Sequence, residues 1–276
     1  NEVTDREPNT IRTNWVGPPM DSSAYDKMTF YQWEQTFEKY NVECKDEFAT
    51  SRWLILEHSR AFQAEVKNRA SHFFPFIEKL IDENKVPYQY IVAGLTGLKE
   101  AKYDPTEVQR IFIKALSIPF DREYTLYFVW VSSYFIETKI LDQDVLEYLI
   151  EIAKNHPDPE GNSIRNEVLM DGANNVRGSA AGRISEVYFN PAFENLIFEA
   201  LNQIAEDTNL SVRVAIMSRL AKLMRLNEQK TLEVFLKLVS SNEPEIIKYS
   251  IWSVQYLLNN NFDKLNNYFQ QALKME

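Results

Sequence analysis

Apolar residues recur along most of the chain at the spacing of an amphipathic helix. The first clear example is Phe30, Trp33 and Phe37, which follow one another at intervals of 3 and 4 residues. Residues three and four apart lie on the same side of a helix, so this pattern predicts a helix with one buried face. Thr29 followed three residues later by Gln32 predicts a capping box at its start, in which each side chain bonds the other residue's backbone.

From about residue 86 the predicted helices recur in pairs. The second helix of each pair is predicted to begin near Pro87, Asp121, Asn175, Ser211 and Glu245, at intervals of 34, 54, 36 and 34 residues. Partner helices are predicted between them, at about 105–116, 142–155, 191–206 and 228–239. Helix pairs repeated at this spacing are typical of an α-solenoid, in which each pair buries its apolar faces against its neighbours.

The clearest internal repeat joins residues 176–181 to residues 212–217, at an offset of 36 residues. The longer interval contains residues 156–174, where Pro and Gly predict an inserted loop or broken helix. We therefore predict an all-α protein, an α-α superhelix of the HEAT/ARM-like solenoid class. Its predicted parts are an extended lead-in at 1–25, a helical segment at 26–85 that packs on the repeats, and helix-pair repeats at 86–276.

The composition of the chain limits which cellular compartment and which class of ligand we expect. A single cysteine, Cys44, excludes an internal disulfide, and no apolar run is long enough to span a membrane, so we expect a cytoplasmic protein. The start at Asn1 suggests a fragment of a longer protein. The net charge is −10, of which residues 1–160 carry −9 (18 Lys and Arg against 27 Asp and Glu). This acidity disfavours nucleic acid, whose binding depends on neutralising phosphates.

Constellations of catalytic or metal-binding residues are missing from the sequence. His58, His72 and His156 are scattered, Cys44 has no histidine partner in a known spacing, and there is no phosphate-binding P-loop motif. We therefore predict no enzyme activity, no metal and no cofactor. Gly94 and Gly97 fall in a helical pattern, which favours close helix packing over a phosphate loop. The aromatic run at 124–135 favours a core helix, with an exposed binding stripe as the alternative.

The arginines of successive second helices are the candidate binding residues. Equivalent positions of stacked helices line one surface of a solenoid, which is often concave. The candidates are Asn175, Arg177, Arg183, Arg213 and Arg219. An arginine near the insertion could clamp a partner carboxylate or phosphate through two hydrogen bonds. The alternative is that Arg177 and Arg213 only bond the turns between repeats and their acidic neighbours.

Three patches of the sequence resemble large bacterial proteins. They comprise residues 17–19 with 25–33 and 39–40, residues 60–62 with 72–74, and the stretch Asn174-Asn175-Val176-Arg177-Gly178-Ser179-Ala180-Ala181. Together they are similar to the C-terminal HEAT-like sensor region of STAND-class P-loop NTPases, of the antiviral Avs-like type. The resemblance implies a non-catalytic sensor or scaffold whose ligand is a protein, such as a phage protein or another foreign protein.

Two other functions remain open at this point. One is a HEAT-like nucleic-acid-binding protein or a glycosylase-type enzyme, which would need a basic concave channel. The other is a purely structural helical spacer, which the sequence does not distinguish from a binding scaffold.

Overall fold

The computed structural model describes residues 18–41, 50–160 and 167–273. Within those residues the chain forms fifteen α-helices joined by short turns and 3₁₀ segments, and no strand. Their bounds are α1 Ser22–Tyr25, α2 Phe30–Lys39, α3 Thr50–Asn68, α4 Ala70–Glu83, α5 Tyr88–Glu100, α6 Pro105–Lys114, α7 Arg122–Glu137, α8 Gln143–Asn155, α9 Val168–Asn174, α10 Val176–Ile184, α11 Glu194–Ile204, α12 Leu210–Met217, α13 Glu228–Val239, α14 Pro244–Asn261 and α15 Asn266–Ala272.

The helices stack in two rows. The first row is α3, α5, α7, α10, α12 and α14, each packed against the next. The second row is α4, α6, α8, α11 and α13, which alternate with the first row along the chain. One hydrophobic core runs between the rows and along their whole length. The prediction of an all-α helical-repeat solenoid is therefore confirmed.

The predicted starts of the first-row helices agree closely with the structure. Pro87, Asp121 and Asn175 are the residues that cap α5, α7 and α10. The caps of α12 and α14 are Asn209 and Glu243, two residues before the predicted starts at Ser211 and Glu245. Regular stacking also begins before residue 86, because α3 and α4 pack on α5 and α6 as a further helix pair.

The N-terminal end of the stack is closed by an aromatic cluster. The capping box of Thr29 and Gln32 is present, and α2 buries Trp33 and Phe37 completely. The predicted extended lead-in is wrong in its last residues, since 22–25 form the short helix α1. Its Tyr25 is buried and stacks on Trp33 with ring centroids 5.4 Å apart, and this contact holds the turn of helix against α2. Residues 1–17 of the lead-in lie outside the described residues.

The predicted insertion at 156–174 contains a helix of the stack. Its second part is α9, which packs against both α10 and α12. A Cβ on Gly172 would overlap the backbone oxygen of Ser211, and one on Gly178 would overlap the backbone oxygen of Gly172. There is room for hydrogen only at these positions, so the two glycines allow α9, α10 and α12 to approach closely. Residues 161–166 of the insertion lie outside the described residues.

Gly97 serves the same purpose between α3 and α5. Its missing Cβ would lie 2.7 Å from the Gln63 backbone oxygen and 2.8 Å from the Val66 Cβ. The interpretation of Gly94 and Gly97 as helix-packing residues, instead of a phosphate loop, is confirmed by their place inside α5.

Candidate partner-binding surface

The exposed face of the first row is the surface that the sequence predicts to be concave, and we call it the concave face. Arg60 on α3 and Tyr127 on α7 interact electrostatically although α5 lies between their helices. Lys99 on α5 and Arg183 on α10 interact in the same way across α7. The two side chains of each pair therefore lie on the same side of the row.

Asn175, the first predicted site residue, is buried in the stack. Its Oδ1 accepts a hydrogen bond of 2.7 Å from the Gly178 backbone N–H, which caps α10. Its Nδ2 donates to the Asp171 backbone oxygen at 2.6 Å and to the Ser211 Oγ at 2.9 Å. Only 4% of the residue is exposed. Its polar atoms therefore bond the protein itself, and Asn175 links α9, α10 and α12.

Arg177 is also committed to contacts inside the protein. Its Nε and Nη2 donate to the two carboxylate oxygens of Asp207 at 3.0 and 3.1 Å. Its Nη1 donates to the backbone oxygen of His156 at 3.1 Å. The side chains of Arg177 and Asp207 are 14% and 11% exposed. The two-bond clamp expected for a partner carboxylate is thus made with the chain's own Asp207.

Arg213 repeats this arrangement more loosely. Its Nη2 lies 3.9 Å from a carboxylate oxygen of Glu243, and its side chain is 12% exposed. The pairs Arg177–Asp207 and Arg213–Glu243 both span 30 residues along the chain. The Arg213 Nε is buried without a hydrogen-bond partner. Arg177 and Arg213 thus contact turns and acidic neighbours, as the alternative interpretation predicted for them.

These contacts belong to a series along the first row. From α5 to α12, the start of each first-row helix contacts an acidic residue that precedes the next helix of the row. The earlier members are Tyr88, whose hydroxyl donates to Asp121 at 3.0 Å, and Arg122, which donates to Asp158 at 2.7 Å. Asp158 also accepts a 2.6 Å bond from the backbone N–H of Val176. The series joins successive repeats and pairs each of these arginines with an acidic residue of the protein itself.

Arg183 and Arg219 lie at the other end of their helices, on the concave face. Both contact Glu186, which accepts from the Arg183 Nη1 at 2.9 Å and lies 3.5 Å from the Arg219 Nε. Lys222 donates to the same carboxylate at 2.7 Å. Arg225 follows Lys222 by three residues, and its guanidinium lies 5.3 Å from the centre of the ring of Tyr188, two residues after Glu186. We call Arg183, Arg219, Lys222 and Arg225 the basic cluster.

The electrostatics of the basic cluster follow from this crowding. Burial raises the pKa of Glu186, but the contacts with Lys222, Arg183 and Arg219 outweigh burial and hold that pKa below its ordinary value. Burial lowers the pKa of Arg219, and neighbouring Arg183 lowers it further. Burial also lowers the pKa of Lys99, again with a contribution from Arg183. The cluster thus carries more positive charge than Glu186 neutralises.

The aromatic run of α7 is mostly core. Tyr124, Phe128, Tyr134 and Phe135 are buried, which confirms the favoured interpretation for those four residues. Tyr127 and Trp130 are half-buried, with ring centroids 5.3 Å apart. Lys99 donates a hydrogen bond of 2.6 Å to the Trp130 backbone oxygen, which joins α5 to α7 at this residue.

The sequence did not single out Glu186, Lys222, Arg225 or Lys99. A signal was present for one of them: Lys222 lies 36 residues after Glu186, the same offset that joins residues 176–181 to 212–217. Nothing in the spacing identifies Lys99, because its interaction with Arg183 depends on how α5, α7 and α10 pack together. Cys44 lies outside the described residues.

In 18–41, 50–160 and 167–273, histidine, cysteine and carboxylate side chains form no group of three or more able to hold a metal ion. The helices of those ranges include none with the length and apolarity needed to cross a membrane. No family model matches the chain, and comparisons with curated proteins and with solved structures give no significant match.

Proposed function

We propose that this chain is a non-catalytic helical-repeat module that binds a protein partner on its concave face. The observation that carries the proposal is the basic cluster, in which three cations contact the carboxylate of Glu186 and a fourth, Arg225, lies over the ring of nearby Tyr188. Positive charges that are partly buried and not neutralised lower the stability of a protein. A negatively charged ligand that binds there would neutralise them. Tyr127 and Trp130 add the half-exposed aromatic rings that are enriched at protein interfaces.

The finer proposal places the module in a larger protein. We propose that it is the C-terminal sensor or scaffold region of a bacterial STAND-class NTPase, acts in the cytoplasm and binds a phage protein or another foreign protein. Its support is the resemblance of the three sequence patches. In the third patch, Asn175 caps α10 and Gly178 allows the close contact with α9, so that patch acts in repeat stacking.

Nucleic acid is the second candidate ligand. The concave face combines cations with the rings of Tyr127 and Trp130, and single strands bind such combinations through phosphate contacts and stacking. The net charge of −10 opposes this function. Glu123 accepts a hydrogen bond from the Tyr127 hydroxyl at 3.2 Å, so this carboxylate is already engaged within the protein.

A photo-cross-linking experiment tests the proposal. A photoreactive amino acid is placed at Trp130 on the concave face or, as a control, at exposed Gln203 on α11 of the second row. We expect a protein adduct from position 130 and not from position 203, with the same protein forming a complex when purified. A nucleic-acid adduct at position 130 would favour the second candidate. Equal adducts at both positions, or no adduct at either, would contradict the proposal and favour a purely structural helical spacer.

A further inference from the structure

The cluster around Glu186 points to the chemistry of the partner. Resting on the proposed function above, we propose that the basic cluster binds an acidic segment of the partner protein, and that Glu186 occupies the same cations when no partner is bound. Glu186 is then an internal competitor whose carboxylate stands where a partner's Asp or Glu side chain would bind.

The geometry around Glu186 is that of a bound carboxylate. One oxygen accepts from Lys222 at 2.7 Å and faces the Arg219 Nε at 3.5 Å, while the other accepts from Arg183 at 2.9 Å. Three cations from two successive repeats thus converge on one carboxylate. A site built from separate helices in this way is a site that a carboxylate from another chain can also fill.

Donor groups remain for further carboxylates. In the part of the chain that the structure describes, the Arg183 side chain makes one hydrogen bond, from Nη1 to Glu186, so its Nε and Nη2 hydrogens are open to a ligand. Lys222 and Arg225 are exposed. Guanidinium groups bind carboxylates through paired hydrogen bonds, and two neighbouring arginines suit a segment with two or three acidic side chains.

The charge of the whole chain selects a peptide over a polyphosphate. A nucleic acid extends its charge over many residues and would meet the acidic half of the chain, since residues 1–160 carry 27 Asp and Glu against 18 Lys and Arg. A short acidic segment places its charge on the basic cluster alone. The cluster therefore fits a local run of Asp and Glu side chains in a partner protein.

Fluorescence anisotropy at low salt tests the inference with defined probes. The probes are a labelled twelve-residue peptide of alternating Glu and Ser, a Lys and Ser peptide of the same length, and a twelve-nucleotide oligothymidine. We expect the Glu peptide to bind and the Lys peptide not to bind. Added salt should weaken the binding, because the contacts are between partly exposed charges.

Three variants separate the cluster from general charge. The double variant Lys222→Glu with Arg225→Glu reverses the charge of two exposed cations and should lower the affinity for the Glu peptide about tenfold or more. Lys154→Glu with Lys237→Glu makes the same change of charge at second-row helix ends and should leave the binding within about twofold. Glu186→Gln removes the competitor and should tighten binding about fivefold, an effect that a merely structural glutamate would not produce.

The outcomes that overturn the inference are distinct. Equal weakening in the two double variants would mean non-specific attraction, and unchanged or weaker binding in folded Glu186→Gln would remove the competitor role. Tighter binding of oligothymidine than of the Glu peptide would contradict the proposal that the ligand is an acidic segment of a protein. If the Glu peptide fails while a protein still cross-links at position 130, this inference fails and the proposed function stands. If the Glu peptide does not bind and no protein cross-links at position 130, both this inference and the proposed function are rejected.

Discussion

Asn175 and Ser211, which lie 36 residues apart in successive repeats, are joined by a hydrogen bond of 2.9 Å between the Asn175 Nδ2 and the Ser211 Oγ. The same asparagine caps α10 through its Oδ1. One buried side chain thus ends a helix and connects two repeats, so local structure and stacking depend on each other here.

Replacing Asn175 should therefore lower the free energy of unfolding more than the loss of an ordinary helix cap does. Asn175→Ala removes the cap and leaves buried groups of Asp171 and Ser211 without this partner, so we expect a loss of about 2 kcal/mol in the free energy of unfolding. Urea denaturation followed by circular dichroism measures it. Asn190→Ala, which removes an exposed cap from a 3₁₀ turn, is the control and should lose about 0.5 kcal/mol.

Arg177 should matter for stability and not for direct binding. Arg177→Ala leaves Asp207 half-buried without its guanidinium partner, and we expect a loss of about 2 kcal/mol in the free energy of unfolding. Arg177→Lys should recover little, because an ammonium cannot make two parallel bonds. Arg60→Ala, at a side chain that is 58% exposed, should change stability by about 0.5 kcal/mol or less. Normal stability in Arg177→Ala with loss of partner binding would contradict this assignment.

Gly97 should be intolerant of a methyl group. In Gly97→Ala the added Cβ overlaps the Gln63 backbone and the Val66 side chain, so α3 and α5 must separate. We expect a net loss of about 2 kcal/mol in the free energy of unfolding. In Gly94→Ala the contact at 3.0 Å is with the side chain of Ile77, which can move, so the loss should be clearly smaller. Equal midpoints of thermal unfolding for the two variants would refute the close approach at Gly97.

His58 should make the N-terminal cluster sensitive to acid. It is fully buried, its Nδ1 lies 3.0 Å from the Tyr90 hydroxyl, and burial lowers its pKa from 6.5 to about 4. The unfolded chain therefore binds a proton that the folded chain excludes. The associated stability is fully present above about pH 6.5 and is lost as the pH falls toward about 4, by about 3 kcal/mol in total.

Urea denaturation at several pH values between these limits measures this loss. His58→Gln cannot take up the proton, so its unfolding free energy should vary less with pH over the same range. The same pH dependence in His58→Gln as in the unchanged protein would assign the effect to other groups.

The sequence was sufficient to predict the repeat architecture. Apolar spacing and caps placed the starts of α5, α7 and α10 at Pro87, Asp121 and Asn175, because these signals are local. The short helices α1 and α9 were not predicted as such. Each is only a turn or two long and is held by tertiary contacts, such as the stacking of Tyr25 on Trp33, which no local pattern encodes.

The candidate site was predictable only in part. The repeat offset identified Arg177 and Arg213 together with Arg183 and Arg219, but it could not separate the two pairs. Their difference is the position of carboxylates in space: Asp207 lies against Arg177, whereas Glu186 is shared among several cations. Such sharing depends on how adjacent repeats meet, which the linear sequence does not contain.

Hydrogen–deuterium exchange on the complex with the cross-linked partner tests the central claim of a concave binding face most directly. Exchange is compared peptide by peptide between the free chain and the complex. The account predicts slower exchange in the complex at the C-terminal ends of α5, α10 and α12 and along α7, with the second-row helices α8, α11 and α13 unchanged. Slower exchange confined to the second row, or spread equally over both rows, would contradict it.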